Sequence, residues 1–229
     1  MNKIKRAIPS LFTAGNLMLG VFSIVYSAQN QMTGAAIAIF LAAVLDFFDG
    51  FVARLLKAES EFGKQFDSMA DCVTFGVAPA ILLFYLTEPY LIGWGRYAAL
   101  FLALFAAIRL AIFNIDTRQT SSFIGLPSPA MGITVASFPL IIEFDKFNVT
   151  PIILHPWFTP IFAVVFCYLM VAELPLFALK FKNFSWESNK LTYTFLVLCI
   201  GFLVVFQFLG IPFIIFTYVF LSVINKFAN

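Results

Sequence analysis

The sequence predicts an all-α integral membrane protein, a polytopic bundle of about eight transmembrane helices with both termini in the cytoplasm. Three observations carry that prediction. Of the 229 residues, 62% are hydrophobic and 11% charged, against roughly 45–50% and 25% in ordinary globular proteins. So few charges cannot clothe a soluble surface, and so many Phe and aliphatic residues exclude a disordered chain. The apolar residues gather in stretches near the roughly 20 residues that a bilayer demands. Finally, once spans are drawn, the basic residues fall almost wholly on one side. The net charge of +2 says little, because only its distribution matters.

The spans fall at roughly 11–28, 33–56, 68–87, 96–113, 129–143, 159–179, 191–208 and 211–225. Before the first stand Lys3, Lys5 and Arg6, a juxtamembrane basic cluster suited to anionic lipid headgroups. They resemble the opening of a signal peptide, but Asn16 and Gly20 interrupt the apolar run and no small-x-small cleavage site follows, so a retained span is expected. A short polar loop joins the second and third spans, which makes them antiparallel neighbours. Longer polar connections run over roughly 114–128 on the inner side and 143–158 on the outer. Gly210-Ile211-Pro212 reads as a tight hairpin between the last two spans.

With the N-terminus inside, Lys3, Lys5, Arg6, Arg54, Lys57, Lys64, Arg109, Arg118, Lys180, Lys182, Lys190 and Lys226 lie at the inner side, and only Arg96 and Lys146 lie outside. Twelve against two fixes the orientation, and losing one span would scramble the pattern. Trp94, Trp157 and Trp186 fall near the boundaries, as an aromatic belt would place them. The whole of 1–229 reads as one transmembrane domain. No internal repeat is evident, which speaks against an inverted-repeat transporter.

Cys72, Cys167 and Cys199 sit in apolar stretches without C-x-x-C spacing, so they read as small buried residues. His155 is the sole histidine, which excludes chemistry needing two from one chain.

The informative stretch runs from Asp46 to Asp71. Asp46 and Asp49 share one helical face, which Gly50 and Ala53 extend with small residues. Gly63, Asp67 and Asp71 follow at intervals of four, again one face. All four acids fall at the inner ends of the second and third spans. Each charge at a helix centre costs roughly 2.5–3.5 kcal/mol on insertion scales, less near the interface. A structural salt-bridged pair would need matching cations, and Arg54 and Lys64 are too few for four close carboxylates. Divalent cations suit them: hard oxygen ligands favour magnesium or manganese. Two such ions bridged by shared carboxylates are a recurrent device of phosphoryl transfer. Gly50, Ala53 and Gly63 leave room for a bulky group beside the acids.

These residues resemble the signature of the CDP-alcohol phosphotransferases, D-x2-D-G-x2-A-R-x8-G-x3-D-x3-D, complete here from Asp46 to Asp71. The resemblance covers roughly residues 8–182, with two extra helices beyond it at roughly 191–225. Ser60-Glu61-Phe62-Gly63-Lys64, Asp67-Ser68-Met69-Ala70-Asp71, Phe75-Gly76-Val77-Ala78-Pro79, Arg109-Leu110-Ala111 with Phe113-Asn114, and Phe123-Ile124-Gly125-Leu126-Pro127-Ser128-Pro129 resemble the branch of that family that forms phosphatidylserine in bacterial and archaeal membranes. Ser10, Cys72, Thr74 and above all Ile112, where a second Arg is usual, depart from that branch.

The resemblance implies transfer of a phosphatidyl group from CDP-diacylglycerol to L-serine, with release of CMP, at the cytoplasmic face of the cell membrane. It implies two Mg2+ or Mn2+ ions on Asp46, Asp49, Asp67 and Asp71, with Asp71 also the general base. It implies CDP contacts from Gly50, Ala53, Arg54, Gly63, Lys64, Thr13 and Asn16. A homodimer is implied as well; a nucleic-acid partner is not expected.

Thr13 and Asn16 otherwise read as interhelical hydrogen-bonding residues. Arg109 has the fork to hold the acceptor's carboxylate, with a positive-inside anchor as the other reading. Asn114 and Ser128 would complete a polar pocket, or merely cap helices. Arg118 reads as a solvated charge, Pro127 and Pro129 as loop-shaping residues, and Glu173 has no assigned role. Glycerol 3-phosphate or an inositol phosphate would be the alternative acceptors, although either calls for more basic side chains. A cation transporter would want its acids near the midplane rather than at the boundary.

Overall fold

The structure is a computed structural model that describes residues 3–58, 60–89, 94–116, 123–176 and 186–228. Of the charges that orient the chain, Arg118, Lys180 and Lys182 lie outside the described residues, as do the side chains of Lys3, Lys5, Arg6 and Lys226 and that of Trp186. The elements are helices α1 (Lys3–Ala28), α2 (Met32–Leu55), α3 (Glu61–Thr87), α4 (Trp94–Ile115), α5 (Ser128–Glu143), the short α6 (Thr150–Ile153), α7 (Phe158–Val171), α8 (Trp186–Phe206) and α9 (Gly210–Ala228). Two residue pairs, β1 (Phe123–Ile124) and β2 (Pro175–Leu176), form a minimal antiparallel ladder, with Phe123 opposite Leu176.

The protein is a helical membrane protein. Among the described residues, five stretches are long and apolar enough to cross a bilayer: Ala7–Ala28, Met32–Leu55, Glu61–Thr87, Trp94–Ile115 and Asn189–Ile224. Large apolar side chains face outward on them and on their neighbours, as with Leu11, Val164 and Val204, each at least 70% exposed. Lipid, not water, is the medium that such surfaces require. α5 and α7 are shorter apolar helices. At 1.5 Å per residue neither reaches the roughly 30 Å of a hydrocarbon core unless it is extended by its flanks.

Besides earlier starts for α1 (Lys3 rather than near 11) and α3 (Glu61 rather than near 68), two boundaries differ from the sequence reading. The sixth expected span stops at Val171, not near residue 179, because the chain turns extended at Ala172 (ψ 141°) and β2 then pairs with β1. The loop before α5 locks onto this end: Leu126 N–H donates to Leu169 O, a carbonyl that the helix leaves open, and Gly125 N–H donates to Leu174 O in the extended stretch beyond it. Gly125 has φ 73°, and a Cβ there would lie 2.5 Å from Met170 O, so only glycine fits. The other difference is the last hairpin. The break between α8 and α9 falls at Gln207–Leu209, with Gln207 left-handed (φ 52°), and Gly210 already starts α9. Gly210 is there for close packing: a Cβ would lie 2.5 Å from Phe202 O.

The core combines large side chains such as Phe75, Leu82, Met131 and Phe166 with small residues that let helix backbones approach. Ala35, Ala36, Ala38, Ile39 and Ala42 form the buried stripe of α2, which packs along α1 and against α5. α3 changes character midway: Cys72–Val77 is π-helical, a wider turn that is frequent at functional sites. This stretch is the hub of the bundle. A Cβ on Gly20 would lie 2.9 Å from Thr74 Cα, one on Gly76 3.1 Å from Ala106 Cβ, and one on Gly132 3.1 Å from Phe75 Cα. α1, α4 and α5 thus meet around one buried turn. Asp71 is the residue immediately before it.

Candidate active site

The site lies where α2 ends and α3 begins. α2 closes with Leu56 N–H on Val52 O and Ala58 N–H on Ala53 O, and Lys57 takes the left-handed conformation (φ 49°) that reverses the chain. Ser60 then caps α3, its Oγ accepting from Gly63 N–H at 3.0 Å. α1 lies against both α2 and the first turns of α3. Between them opens a cavity of about 830 Å³, within the roughly 300–1,000 Å³ of small-molecule sites.

The four aspartates form two layers. Asp49 and Asp67 lie nearest the helix ends and border the cavity. Asp46 and Asp71 are three and four residues further into their helices, about one turn deeper. Asp49 lies against Asp67 and Asp46 against Asp71, each pair within hydrogen-bonding reach. α1 buttresses both layers: Thr13 Oγ1 donates to Asp49 Oδ2 at 2.9 Å, and Asn16 Nδ2 to Asp71 Oδ1 at 3.4 Å. Asn16 is itself held where the hub begins, its carbonyl accepting from Thr74 Oγ1 at 3.1 Å.

This arrangement asks for positive charge. Carboxylate oxygens of Asp46, Asp49 and Asp67 lie within 4.8 Å of one another. Among the described residues no lysine or arginine forms an ion pair with any of the four aspartates. Asp67 Oδ1 is buried without a hydrogen-bond partner. Carboxylates packed so closely repel one another unless cations or protons lie between them. An all-oxygen donor set with an unsatisfied buried member fits magnesium or manganese. Asp71 stands apart from the three-acid cluster, leaning on Asp46 and Asn16.

Of the residues expected to surround a nucleotide, Thr13, Gly50, Ala53, Arg54, Gly63 and Lys64 all border the cavity. A Cβ on Gly50 would meet nothing within 4 Å, so the glycine leaves open space there. Arg54 gives its Nε to Gly50 O at 2.9 Å, which leaves its two terminal nitrogens for another partner. Asn16 does not border the cavity; it lies beneath Thr13, on Asp71.

The three residues expected to bind the acceptor do not form one pocket. Arg109 is 7% exposed, stacks on the Phe113 ring at 5.7 Å, and has a buried Nε without a hydrogen-bond partner. Its guanidinium is within electrostatic range of Asp71. Asn114 instead ties α4 to α3, donating from Nδ2 to Ser68 Oγ at 2.9 Å. Ser128 is fully buried at the start of α5, away from the cavity. Ile112, where a second arginine was expected, is 41% exposed.

Pro9, Ser10, Ala58, Ser60, Glu61 and Phe113 also border the cavity and were not anticipated. Ser60 had a signal, since a Ser three residues before Gly63 at a helix start is a capping pattern. Ser10 had one as well, sharing a face with Thr13. Phe113 had none, because only the tertiary fold brings α4 there. Replacing Ser60 with Ala removes the α3 cap and is expected to cost about 1 kcal/mol. A lowered melting temperature in detergent, with CMP affinity weakened alongside, would show it.

Fold and site together define an integral membrane protein with a carboxylate centre beneath a cavity of nucleotide size. The chain belongs to the CDP-alcohol phosphatidyltransferase family, whose sequence profile matches residues 6–172. It is similar to the CDP-diacylglycerol–serine O-phosphatidyltransferase of Helicobacter pylori (strain J99), 41% identical over 129 residues, which are 56% of this chain and 54% of that protein. The Bacillus subtilis (strain 168) protein of the same name is 34% identical over 186 residues, 80% of this chain and 94% of that one. The archaetidylserine synthase of Methanothermobacter thermautotrophicus is 35% identical over 140 residues, 58% of each. The chain thus spans about half the length of the Helicobacter relatives it matches.

Proposed function

We propose that the protein transfers the phosphatidyl group of CDP-diacylglycerol to the hydroxyl of L-serine, giving phosphatidylserine and CMP. The observation that carries this reading is the convergence of Asp46, Asp49, Asp67 and Asp71 beside a cavity bordered by Gly50, Ala53, Arg54, Gly63 and Lys64. The names of the relatives supply donor and acceptor. The reading includes eight spans in one domain over 1–229, with the family core at roughly 8–182. It also includes both termini and the site at the cytoplasmic face of the cell membrane, and a homodimer.

Asp46, Asp49, Asp67 and Asp71 would hold two Mg2+ or Mn2+ ions, which when bound supply positive charge against the pyrophosphate and the developing CMP. The chain's own residues do the rest. Gly50 and Ala53 leave room for the cytidine. Arg54 and Lys64, exposed beside the cavity, offer charge-assisted hydrogen bonds to phosphate oxygens. Asp71, steadied by Asn16, accepts the proton of the serine hydroxyl. The hydroxyl oxygen bonds to the phosphorus that carries diacylglycerol as the bond from that phosphorus to the bridging oxygen breaks. That oxygen leaves with CMP. Arg109, buried and within electrostatic range of Asp71, holds the serine carboxylate.

The test is CMP release from purified protein with CDP-diacylglycerol and magnesium or manganese, comparing serine with glycerol 3-phosphate and inositol phosphate. Serine-dependent release, lost on chelation and restored by adding the metal back, is the expected result. Release with another acceptor alone would keep the chemistry and overturn the acceptor. Metal-independent release would remove the role given to the four aspartates.

A further inference from the structure

We propose that Asn16 is the residue that selects an amino acid as acceptor, its side-chain Oδ1 receiving the acceptor's ammonium beside Asp71. This rests on the serine transfer proposed above and adds a recognition element to it.

The observation is an imbalance at a buried amide. Asn16 is 0% exposed, and its two polar atoms fare differently. Nδ2 donates to Asp71 Oδ1 at 3.4 Å, while Oδ1 is buried with no hydrogen-bond partner. Turning the amide over does not cure this, because a carboxylate must face the NH2 end. The lone oxygen then has no donor whichever way the group is named. Leaving such an oxygen unsatisfied costs about 1–3 kcal/mol, and a buried asparagine in a membrane span is costly from the outset. The neighbouring hydroxyl cannot serve: Thr74 Oγ1 is already committed to the Asn16 carbonyl. What is missing is a donor that arrives with a ligand.

Its chemistry follows from its neighbours. The atom lies on the same α1 face as Thr13, one turn below the cavity border. It sits next to the carboxylate that would take a hydroxyl proton, and Arg109 lies within electrostatic range of that same carboxylate. A donor brought to Oδ1 fits a small molecule whose hydroxyl reaches Asp71 and whose anionic end, on the reading above, is held by Arg109. An ammonium on the carbon adjacent to the one bearing the hydroxyl meets that description. Three contacts, to Asn16, Asp71 and Arg109, also suffice to distinguish one hand of the acceptor from the other. Polyol phosphates carry no cation to place at Oδ1.

The test compares L-serine with 3-hydroxypropionate, which is serine without its ammonium, as acceptors for CMP release by the full chain. The readout is the ratio of their kcat/KM values, which cancels any loss that falls on both. Wild type is expected to favour serine strongly. Asn16→Leu, close in shape and without polar atoms, is expected to shrink that ratio about 10- to 100-fold, the worth of a charged hydrogen bond. Asn16→Gln, which keeps both a donor for Asp71 and an acceptor oxygen, is expected to lose less of it, and L-serine is expected to outcompete D-serine in wild type only. Serine binding measured calorimetrically should weaken in Asn16→Leu, while CMP binding stays within about 2-fold. An unchanged ratio in Asn16→Leu overturns the proposal, as does failure of both variants to fold, since the amide would then serve only packing. A wild type that releases no CMP with serine fails the underlying function instead.

Discussion

Asp71→Asn is expected to reduce kcat by about 10²- to 10⁴-fold, the usual worth of a positioned general base, while changing the KM for CDP-diacylglycerol only a few-fold. The expectation comes from how the acids divide. Asp46, Asp49 and Asp67 share one cluster of oxygens, and Asp49 and Asp67 border the cavity. Asp71 lies a turn deeper, held by Asn16 and leaning on Asp46. Asparagine keeps the shape and the contact with Asn16 but cannot take a proton. Asp49→Asn and Asp67→Asn strike the cluster itself, so they should weaken Mn2+ binding, read by electron paramagnetic resonance, together with activity. Asp71→Asn should leave Mn2+ binding much closer to wild type. An active Asp71→Asn enzyme would remove the base assignment; loss of Mn2+ binding equal to that of Asp67→Asn would make Asp71 a ligand only.

Gly20→Val is expected to be the most damaging substitution outside the acids. Even a bare Cβ at residue 20 would lie 2.9 Å from Thr74 Cα, and backbone cannot move aside as a flexible side-chain tip can. Overpacking usually costs about 1–3 kcal/mol, and here the strain falls on the turn that α1, α4 and α5 all share. α1 would be pushed off α3, and with it Asn16, whose carbonyl is bound by Thr74. A fall of several degrees in the melting temperature in detergent should come with loss of activity even in the fraction that remains folded. Gly201→Val, where a Cβ meets nothing within 4 Å, is the matched control and should be close to neutral. Equal tolerance of the two would show that the hub yields more than its contacts imply.

The sequence reading was strongest where one helix carried both the signal and the answer. Residue spacing along single helices placed Asp46 with Asp49, and Asp67 with Asp71, on common faces, and the structure brings those faces together. Apolar length located α2 and α4 to within a few residues, while the polar starts of α1 and α3, at Lys3 and Glu61, lie well before the apolar runs drawn for them. What escaped were features decided between elements. α7 ends at Val171, where Leu126 of another loop satisfies the Leu169 carbonyl and Gly125 binds Leu174 just beyond the helix, which no apolar run records. Asn114 bonds to Ser68 rather than joining Arg109, because the turn of α4 against α3 sets its direction. Asn16 fell under Asp71 rather than beside the cavity for the same reason. Phe113 entered the cavity border from a helix distant in sequence. The π-helical turn left no mark in composition, since what lets it pack is Gly20, Ala106 and Gly132 on other helices together with its own Gly76.

That wide turn over Cys72–Val77 also keeps α3 in phase. A helix with unbroken 3.6-residue periodicity ties the direction of every residue to that of every other, about 100° apart per step. By holding one residue more in that turn, α3 takes up an extra residue without rotating one half against the other: the half bearing Asp67 and Asp71 stays aimed at the chemistry, while Thr74, Phe75 and Gly76 are aimed at the lattice of neighbouring helices. Deleting a single residue of the turn, Val73 for instance, is expected to let it close to ordinary α geometry with the acids still facing the site, whereas the same deletion in the regular part of α3 would swing them by about 100°.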